Sequence, residues 1–276
     1  MPNISKETII CMSLAERSSS FGITVHNFGF ESLGINAVYL ARALKPEGEN
    51  LKDAIRGIRA LGIRGCGISM PFKIDAMEYM DELDDSALRV GAINTIVNEN
   101  GKLIGHNTDF FGATEALRGI EDIAGKRILI LGSGGVSLAI TAALKHLGVK
   151  NATICNRTHQ KAYDLAIKRG YSIIPWDDRN KFTADVLINA SSIGMTPNPN
   201  EIPVDETTIE NFKVVYDVIV SPVDSLLIKS ARKRNKVLIP GTVMCLFQAA
   251  KQFELYTGQQ PPLEIMRSAM LRLLEQ

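Results

Sequence analysis

The stretch KRILILGSGGVSLAITAALKHLG, residues 126–148, decides the fold of the second half of the chain. A short apolar run leads into glycines, and an apolar helical pattern follows them, as in a strand–turn–helix unit. Glycines at 132, 134 and 135 allow a tight turn and let backbone N–H groups approach a pyrophosphate at the positive end of the helix. Ser137 stands where the third glycine of the dinucleotide-binding pattern is usual. We therefore expect a dinucleotide to bind at this turn.

The end of the next predicted strand favours NADP over NAD. An NAD site has Asp or Glu about 20 residues further on, where it binds the ribose 2′-hydroxyl. Here the strand end reads Asn156, Arg157, Thr158, with Lys161 one turn later and no carboxylate. A guanidinium binds a 2′-phosphate through charge-assisted hydrogen bonds. The alternative is that Arg157 is an exposed arginine that merely opens a helix, which does not explain the missing carboxylate.

Composition and charge limit the class of protein. The chain has 276 residues, 45% hydrophobic and 22% charged, with a formal net charge of +1. This balance gives no electrostatic reason to expect a nucleic acid partner, and no apolar run is long enough to span a membrane. The four cysteines are scattered singly, so we expect neither a metal site nor a disulfide framework. The first ten residues lack the pattern of a signal peptide, which predicts a cytoplasmic protein.

The first hundred residues predict a second α/β sheet. The candidate strands are TIICMSL (8–14), INAVYLA (35–41), IRGCGISM (63–70) and AINTIV (92–97). Between them, one apolar helical stripe is formed by Leu51, Ala54, Ile55, Ile58 and Leu61. Residues 75–83 are predicted to form another helix. After Gly241 only helices follow, and we expect them to return to the first sheet because it has few helices of its own.

A hairpin is predicted across residues 98–101, because Asn100-Gly101 suits a two-residue type I′ turn. In that register Glu99 faces Lys102, and Asn94 faces Asn107. Asn94 is thereby predicted to lie within reach of Asp109.

An enzyme that oxidises an alcohol needs a group that takes the hydroxyl proton. His146 and His159 lie in predicted helices at the surface, and His106 lies in the hairpin. His26 is predicted to open the first helix as a packed or capping residue. Lys73 follows a strand end in SMPFK, where a cleft could lower its pKa, although a solvated surface charge is the alternative.

The motifs SMPFK (69–73), GAINT (91–95), GHNTDFFG (105–112), GSGGVSLA (132–139), NRT (156–158), SSIGM (191–195) and LFQAAKQFELYTG (246–258) occur in order. Together they resemble the shikimate dehydrogenase family, the reductases that interconvert 3-dehydroshikimate and shikimate with NADP. The resemblance implies a mixed-sheet α/β substrate domain over residues 1–106 and a Rossmann domain over 107–240. Helices from residues 241–276 would pack back on the first domain, and the active site would lie in the cleft between domains.

The resemblance also implies roles for individual residues. Lys73 and Asp109 would form the catalytic pair, and which of them carries the proton stays open. Asn94 and Gln248 would bind substrate hydroxyls, with Ser69 at a threonine position of the substrate site. The cofactor site would comprise Gly132, Ser133, Gly134, Gly135 and Val136 at the pyrophosphate, Asn156, Arg157, Thr158 and Lys161 at the adenosine phosphate, and Val218, Gly241 and Met244 near the nicotinamide. Met244 and Gln248 are four residues apart, so they share a helix face.

The chain departs from the family at three substrate positions. The family's Ser-x-Ser-Pro-x-x-His-Asn loop, whose serines bind the substrate carboxylate, retains Ser20 here but has Gly22 and Ile23. Gly67 and Val220 replace an asparagine and a tyrosine. Each lost hydrogen bond to a charged group costs about 1.5–3 kcal/mol, unless Arg17, Ser18, Ser19 or Thr24 compensates. The pattern is similar to the shikimate dehydrogenase-like paralogues.

We therefore expect an NADP-dependent oxidoreductase, a monomer or homodimer, acting on shikimate or a close cyclic hydroxy acid such as quinate. One alternative is a paralogue with another preferred substrate. Another is an NADP-binding sensor with a decayed substrate site. A tetrahydrofolate- or tRNA-linked reductase does not fit the motifs of the first domain.

Overall fold

The computed structural model describes residues 4–48 and 50–275, which form two compact units. Unit 1 comprises the chain up to Phe111 together with the chain from Leu246 onward, and unit 2 comprises Gly112–Cys245. The functional roles of the domains expected from the sequence stay a prediction.

The strands are β1 (Ile9–Ala15), β2 (Ala37–Ala43), β3 (Gly65–Ile68), β4 (Glu82–Leu83), β5 (Thr95–Glu99), β6 (Lys102–His106), β7 (Ile128–Leu131), β8 (Ala152–Cys155), β9 (Ser172–Ile174), β10 (Val186–Asn189), β11 (Val214–Asp217) and β12 (Val237–Pro240). The α-helices are α1 (Phe21–Ser32), α2 (Asn50–Ala60), α3 (Asp85–Val90), α4 (Thr108–Arg118), α5 (Gly135–His146), α6 (His159–Arg169), α7 (Leu226–Lys233), α8 (Gly241–Thr257) and α9 (Leu263–Leu274). Short 3-10 segments lie at Asp75–Tyr79, Ile123–Gly125, Trp176–Lys181 and Glu206–Asn211. Each of the helices in the described ranges is too short or too polar to span a lipid bilayer.

The sheet of unit 1 is mixed, as the family resemblance implies. Its order is β2-β1-β3-β5-β6-β4. Strand β1 pairs in parallel with β2 and β3, whereas β5 runs antiparallel to both β3 and β6. One face of the sheet packs on α2, where Ile55 and Ile58 are buried together with Cys66 and Ile96 of the strands.

The predicted hairpin and its register are confirmed. Glu99 pairs with Lys102, and both turn residues have positive φ, 53° at Asn100 and 94° at Gly101. This is the conformation that a type I′ turn requires. The Asn94 N–H donates to the carbonyl oxygen of His106 at 3.0 Å, so pairing continues past the start of β5.

Three local predictions in the first hundred residues are wrong. Residues 75–83 form a short 3-10 segment and then β4, because Asp81 exchanges hydrogen bonds with the Leu103 backbone and aligns the chain beside β6. Leu61 lies beyond α2 and is exposed, since Gly62 at φ 64° ends that helix. His26 lies in the middle of α1 rather than opening the helix, although it is fully buried, as expected of a packed residue.

The sheet of unit 2 is entirely parallel, in the order β12-β11-β10-β7-β8-β9. The strand order reverses between β7 and β10, which is the Rossmann arrangement, so the predicted fold class is confirmed. All residues of β7, β10 and β11 are buried, as expected for strands covered on both faces.

The predicted return of the C-terminal helices is also confirmed. Helix α9 packs on α1 within unit 1. Helix α8 approaches α1 at Gly29, where a Cβ atom would lie 2.9 Å from Cε2 of Phe253. Glycine at this position therefore permits the close helix packing.

Two helical glycines give opposite stability predictions. A Cβ on Gly22 would lie 2.6 Å from Cε1 of the buried Tyr39, whereas a Cβ on Gly57 in α2 meets no atom within 4 Å. We expect Gly22→Ala to lower the free energy of unfolding by about 1–3 kcal/mol through overpacking. The matched Gly57→Ala should raise it by about 0.5–1 kcal/mol. Urea unfolding followed by circular dichroism checks both, and a Gly22→Ala protein as stable as the parent would contradict the first.

Candidate active site

Lys73 and Asp109 form an ion pair in unit 1. The Lys73 Nζ donates to Asp109 Oδ2 at 2.5 Å, and only 17% and 13% of the two side chains are exposed. The turn after β3 positions Lys73, because Phe72 is buried and the Ile93 N–H donates to the Lys73 carbonyl oxygen at 2.8 Å. The pair therefore places a cation and a carboxylate in hydrogen-bond contact, largely shielded from water.

The start of α4 holds Asp109. The Asn107 Oδ1 accepts a hydrogen bond from the Phe110 N–H at 3.0 Å, and the Asn107 Nδ2 donates to the Ala92 carbonyl oxygen at 2.8 Å. Asn107 thus caps the helix and ties it to the segment that leads into β5. Asp109 lies in the first turn, where the helix dipole stabilises a negative charge.

Asn94 has a fixed amide orientation. Its Oδ1 accepts hydrogen bonds from the Thr108 N–H at 2.7 Å and from the hydroxyls of Thr95 and Thr108 at 2.8 and 3.1 Å. A backbone N–H can only donate, so the amide oxygen must lie on this side. Across residues 4–48 and 50–275, no group pairs with Asn94 Nδ2, whose hydrogens remain to donate to a ligand.

The other expected substrate residues also lie in unit 1. Ser69 is exposed just beyond β3, and Ser20 is exposed at the start of α1, where its hydroxyl makes no cap hydrogen bond. In the described part of the chain, neither serine forms a side-chain hydrogen bond with Lys73, Asp109 or Asn94. Gln248 is half-buried in α8.

Tyr39 occupies the space beside two of the departures from the family. Besides its contact with Gly22, its hydroxyl would lie 2.9 Å from a Cβ on Gly67. The ring is 2% exposed and stacks on His26 with centroids 4.5 Å apart. A side chain at position 22 or 67 would therefore displace Tyr39. Sequence reasoning missed this residue, since no local pattern links β2 to the two glycines. Val220, the third departure, is half-buried.

Sequence reasoning also missed Gln252. It is buried in α8, and its Nε2 donates to the Thr95 hydroxyl at 2.9 Å. The signal was present, because Gln252 continues the four-residue spacing of Met244 and Gln248 along one helix face. His146 and His159 are exposed, as the sequence predicts.

In unit 2, the glycines of the turn after β7 differ in how closely other atoms approach them. Gly132 has φ 114°, and a Cβ there would lie 2.6 Å from the Ala190 carbonyl oxygen, so the fold itself requires glycine. At Gly134 and Gly135 a Cβ would meet no protein atom within 4 Å. Helix α5 begins at Gly135 with no acidic residue in its first turn, which leaves its positive end unneutralised. This turn fits a pyrophosphate, with Ser133 and Val136 half-buried at its sides.

The expected adenosine-phosphate residues follow the adjacent strand. Leu131 at the end of β7 pairs with Cys155 at the end of β8, and the Gly132 N–H donates to the Cys155 carbonyl oxygen at 2.8 Å. Asn156 Nδ2 donates to the Thr158 carbonyl oxygen at 3.0 Å and closes the turn that leads into α6. The exposed residues of this group are Arg157, Thr158 and Lys161. Among the described residues, no carboxylate forms an ion pair with Arg157.

The three residues expected near the nicotinamide also lie in unit 2. Gly241 starts α8 against the backbone, since a Cβ there would clash with the carbonyl oxygens of Val218 and Ile219. Val218 is half-buried, and Met244 is buried.

A buried carboxylate lies at the end of β11 in unit 2. Asp217 is fully buried and accepts hydrogen bonds from Asn189 Nδ2 at 3.0 Å, from the Ile219 N–H at 3.2 Å and from the Ser225 hydroxyl. Burial raises the pKa of Asp217 to about 6, although these three hydrogen bonds oppose the shift. The carboxylate joins the end of β10 to the segment that leads into α7.

Family models match three parts of the chain. The model described as the shikimate dehydrogenase substrate binding domain matches residues 16–96, and the one described as shikimate / quinate 5-dehydrogenase matches residues 114–198. The model described as the shikimate 5′-dehydrogenase C-terminal domain matches residues 241–271.

Individual relatives are similar over almost the whole chain. A shikimate dehydrogenase-like protein of Haemophilus influenzae is 38% identical over 96% of this chain and 97% of its own length. A shikimate dehydrogenase (NADP(+)) of a Geobacillus species is 40% identical over 91% of this chain and 92% of its own. A solved shikimate dehydrogenase in complex with NADP+ superposes with a TM-score of 0.89 at 36% identity, covering 99% of this chain and 98% of that one.

The Asp217 carboxyl predicts a pH-dependent stability of unit 2. Because its folded pKa, about 6, exceeds the usual 3.8, the folded state binds more protons between these values and loses stability as pH rises through them. The loss is on the order of 3 kcal/mol, since one pKa unit corresponds to about 1.4 kcal/mol. Denaturation followed by the fluorescence of Trp176, the chain's single tryptophan, measures it in the parent and in Asp217→Asn.

The Asp217→Asn variant isolates this carboxyl from other groups that titrate in the same range. We expect the parent to lose stability relative to the variant between pH 4 and pH 6. Parallel stability profiles of the two proteins would contradict the assignment.

Proposed function

Because the chain belongs to the shikimate dehydrogenase family, we propose that it transfers hydride between NADP and the CH–OH carbon of shikimate or of a close cyclic hydroxy acid such as quinate. The family establishes an oxidoreductase, and its NADP-dependent members establish NADP as the cofactor. The strand end at Arg157 agrees with this cofactor. The observation that carries the proposal is the partly buried contact between Lys73 and Asp109.

The chemistry assigns a role to that pair. NADP held in unit 2 would supply the hydride acceptor for oxidation of the alcohol at the ring carbon. The hydroxyl must lose its proton at the same time, and we assign this proton transfer to Lys73 and Asp109. Either a neutral Lys73 takes the proton directly, or Asp109 takes it while Lys73 remains an ammonium. The reverse direction returns the proton to the same oxygen.

Other residues would orient the ring. Asn94 would donate from Nδ2 to a substrate oxygen, because its Oδ1 already accepts three hydrogen bonds. Ser20, Ser69 and Gln248 would supply further polar contacts. In unit 2, residues 132–136 would hold the pyrophosphate and residues 156–161 the adenosine phosphate, with Val218, Gly241 and Met244 near the nicotinamide.

The position of Tyr39 leads us to expect a substrate preference different from that of the main biosynthetic enzymes. It fills the space beside Gly22 and Gly67, where the resemblance places two polar contacts. Initial rates with shikimate, quinate and related ring acids, each with NADP and NAD, test this. Tight NADPH binding with no turnover of any ring acid would instead support a sensor.

Replacing Lys73 tests the catalytic assignment. We expect Lys73→Met to lower kcat with the preferred ring acid by about 10²- to 10⁴-fold, because the proton-transfer group is lost. NADPH binding, followed by fluorescence titration, should not change. Lys102→Met is a matched control, since Lys102 also pairs with a carboxylate at 2.5 Å but is 53% exposed. Full activity of Lys73→Met would overturn the assignment.

Replacing Arg157 tests the cofactor preference. We expect Arg157→Gln to raise KM for NADP by about 10- to 100-fold and to leave KM for NAD nearly unchanged, because only NADP carries the 2′-phosphate. Arg232→Gln is the control, since this exposed arginine of unit 2 pairs with Asp224. Equal effects of Arg157→Gln on the two cofactors would contradict the role of Arg157.

A further inference from the structure

A chain of buried hydrogen bonds connects α1 to Asn94 through α8. His26 Nε2 contacts Gln252 Oε1 at 3.4 Å, and Gln252 Nε2 contacts the Thr95 hydroxyl at 2.9 Å and the Asn94 carbonyl oxygen at 3.4 Å. The Thr95 hydroxyl contacts Asn94 Oδ1 at 2.8 Å. His26 and Thr95 are fully buried, and Gln252 is 6% exposed. We call these four residues the relay.

The direction of every hydrogen bond in the relay follows from one backbone group. The Thr108 N–H donates to Asn94 Oδ1, so that atom is an acceptor and the Thr95 hydroxyl must donate to it. The Thr95 oxygen is then free to accept, which requires Gln252 Nε2 on its side and Gln252 Oε1 on the side of His26.

The position of the proton on His26 completes the assignment of donors and acceptors in the relay. His26 must carry its proton on Nε2, because Gln252 Oε1 can only accept. Burial lowers the pKa of His26 to about 4, so the ring is neutral at pH 7, and its Nδ1 has no partner among the described residues. Tyr39 stacks on the ring at an interplanar angle of 14° and fixes its plane. The relay therefore has one consistent set of donors and acceptors.

From this geometry we propose that Thr95 and Gln252 are positioning residues, which hold the Asn94 amide so that it presents only N–H donors to the substrate. The proposal rests on the proposed function, in which Asn94 contacts the ring substrate. It adds a chemical requirement, because a donor-only group selects a substrate oxygen that can accept a hydrogen bond. Gln252 matters because it holds the Thr95 hydroxyl in its donating orientation.

Two substitutions of Thr95 distinguish the effect of losing its hydroxyl from the effect of changing its side-chain volume. We expect Thr95→Val to raise KM for the preferred ring acid by about fivefold to tenfold, since one hydrogen bond that orients Asn94 is lost, and to leave KM for NADP unchanged. Thr95→Ser keeps the hydroxyl and should stay within about twofold of the parent. Gln252→Met should act like Thr95→Val.

A matched control removes a hydroxyl elsewhere. Thr208 in unit 2 is buried, and its hydroxyl donates to the Asn180 carbonyl oxygen at 3.1 Å. Thr208→Val should therefore leave KM for the preferred ring acid within about twofold of the parent. An unchanged KM in Thr95→Val, or equal losses in Thr95→Ser and Thr95→Val, would overturn the proposal.

A second measurement needs no turnover. The proposed function fails if the parent turns over none of the ring acids. In that case, nuclear magnetic resonance without substrate still tests the relay, by measuring the order parameter of the Asn94 side-chain amide. We expect a lower order parameter for this amide in Thr95→Val than in the parent and in Thr208→Val. Equal order parameters in the three proteins would overturn the relay.

Discussion

The geometry of unit 1 depends on the two-residue turn at Asn100-Gly101. Its positive φ angles set Glu99 opposite Lys102, and a slip of one residue would turn every side chain of β5 to the other face of the sheet. In the observed register, Asn94 lies beside the segment that begins α4. The same helix carries Asp109 to Lys73. A constraint on two turn residues thereby helps to position both the Asn94 amide and the start of the helix that carries Asp109.

The turn after β7 in unit 2 contains one glycine that the fold requires and two that it does not. Gly132 follows β7 at the point where the strand order reverses, and the neighbouring Ala190 backbone leaves no room for a side chain. Gly134 and Gly135 have no such neighbour, so the folded chain alone does not require glycine there. Their absence of side chains exposes the first N–H groups of α5, which suits a phosphate.

Sequence patterns were most informative where local physics decides the outcome. Turn chemistry gave the hairpin register, and glycine spacing after a strand predicted the turn of unit 2. The family resemblance inferred from ordered motifs is confirmed by the comparisons. Prediction failed where a distant group intervenes, as at Asp81, whose bonds to Leu103 replace a helix with β4. Tyr39 and Gln252 were missed because their partners lie on other elements. The residue-level roles in the site stay predictions.

The space beside Gly22 and Gly67, where the family has polar side chains, is filled by Tyr39. A polar side chain lost from a binding site leaves room for water or for a larger substrate, but here a Cβ atom at either position would lie within 3 Å of the buried Tyr39 side chain. That ring stacks on His26, the first member of the relay that ends at Asn94. A serine at position 22 would have to displace Tyr39, which is stacked on His26. The altered loop, Tyr39 and the relay therefore pack against one another, and we expect substrate preference to depend on this cluster rather than on the loop alone.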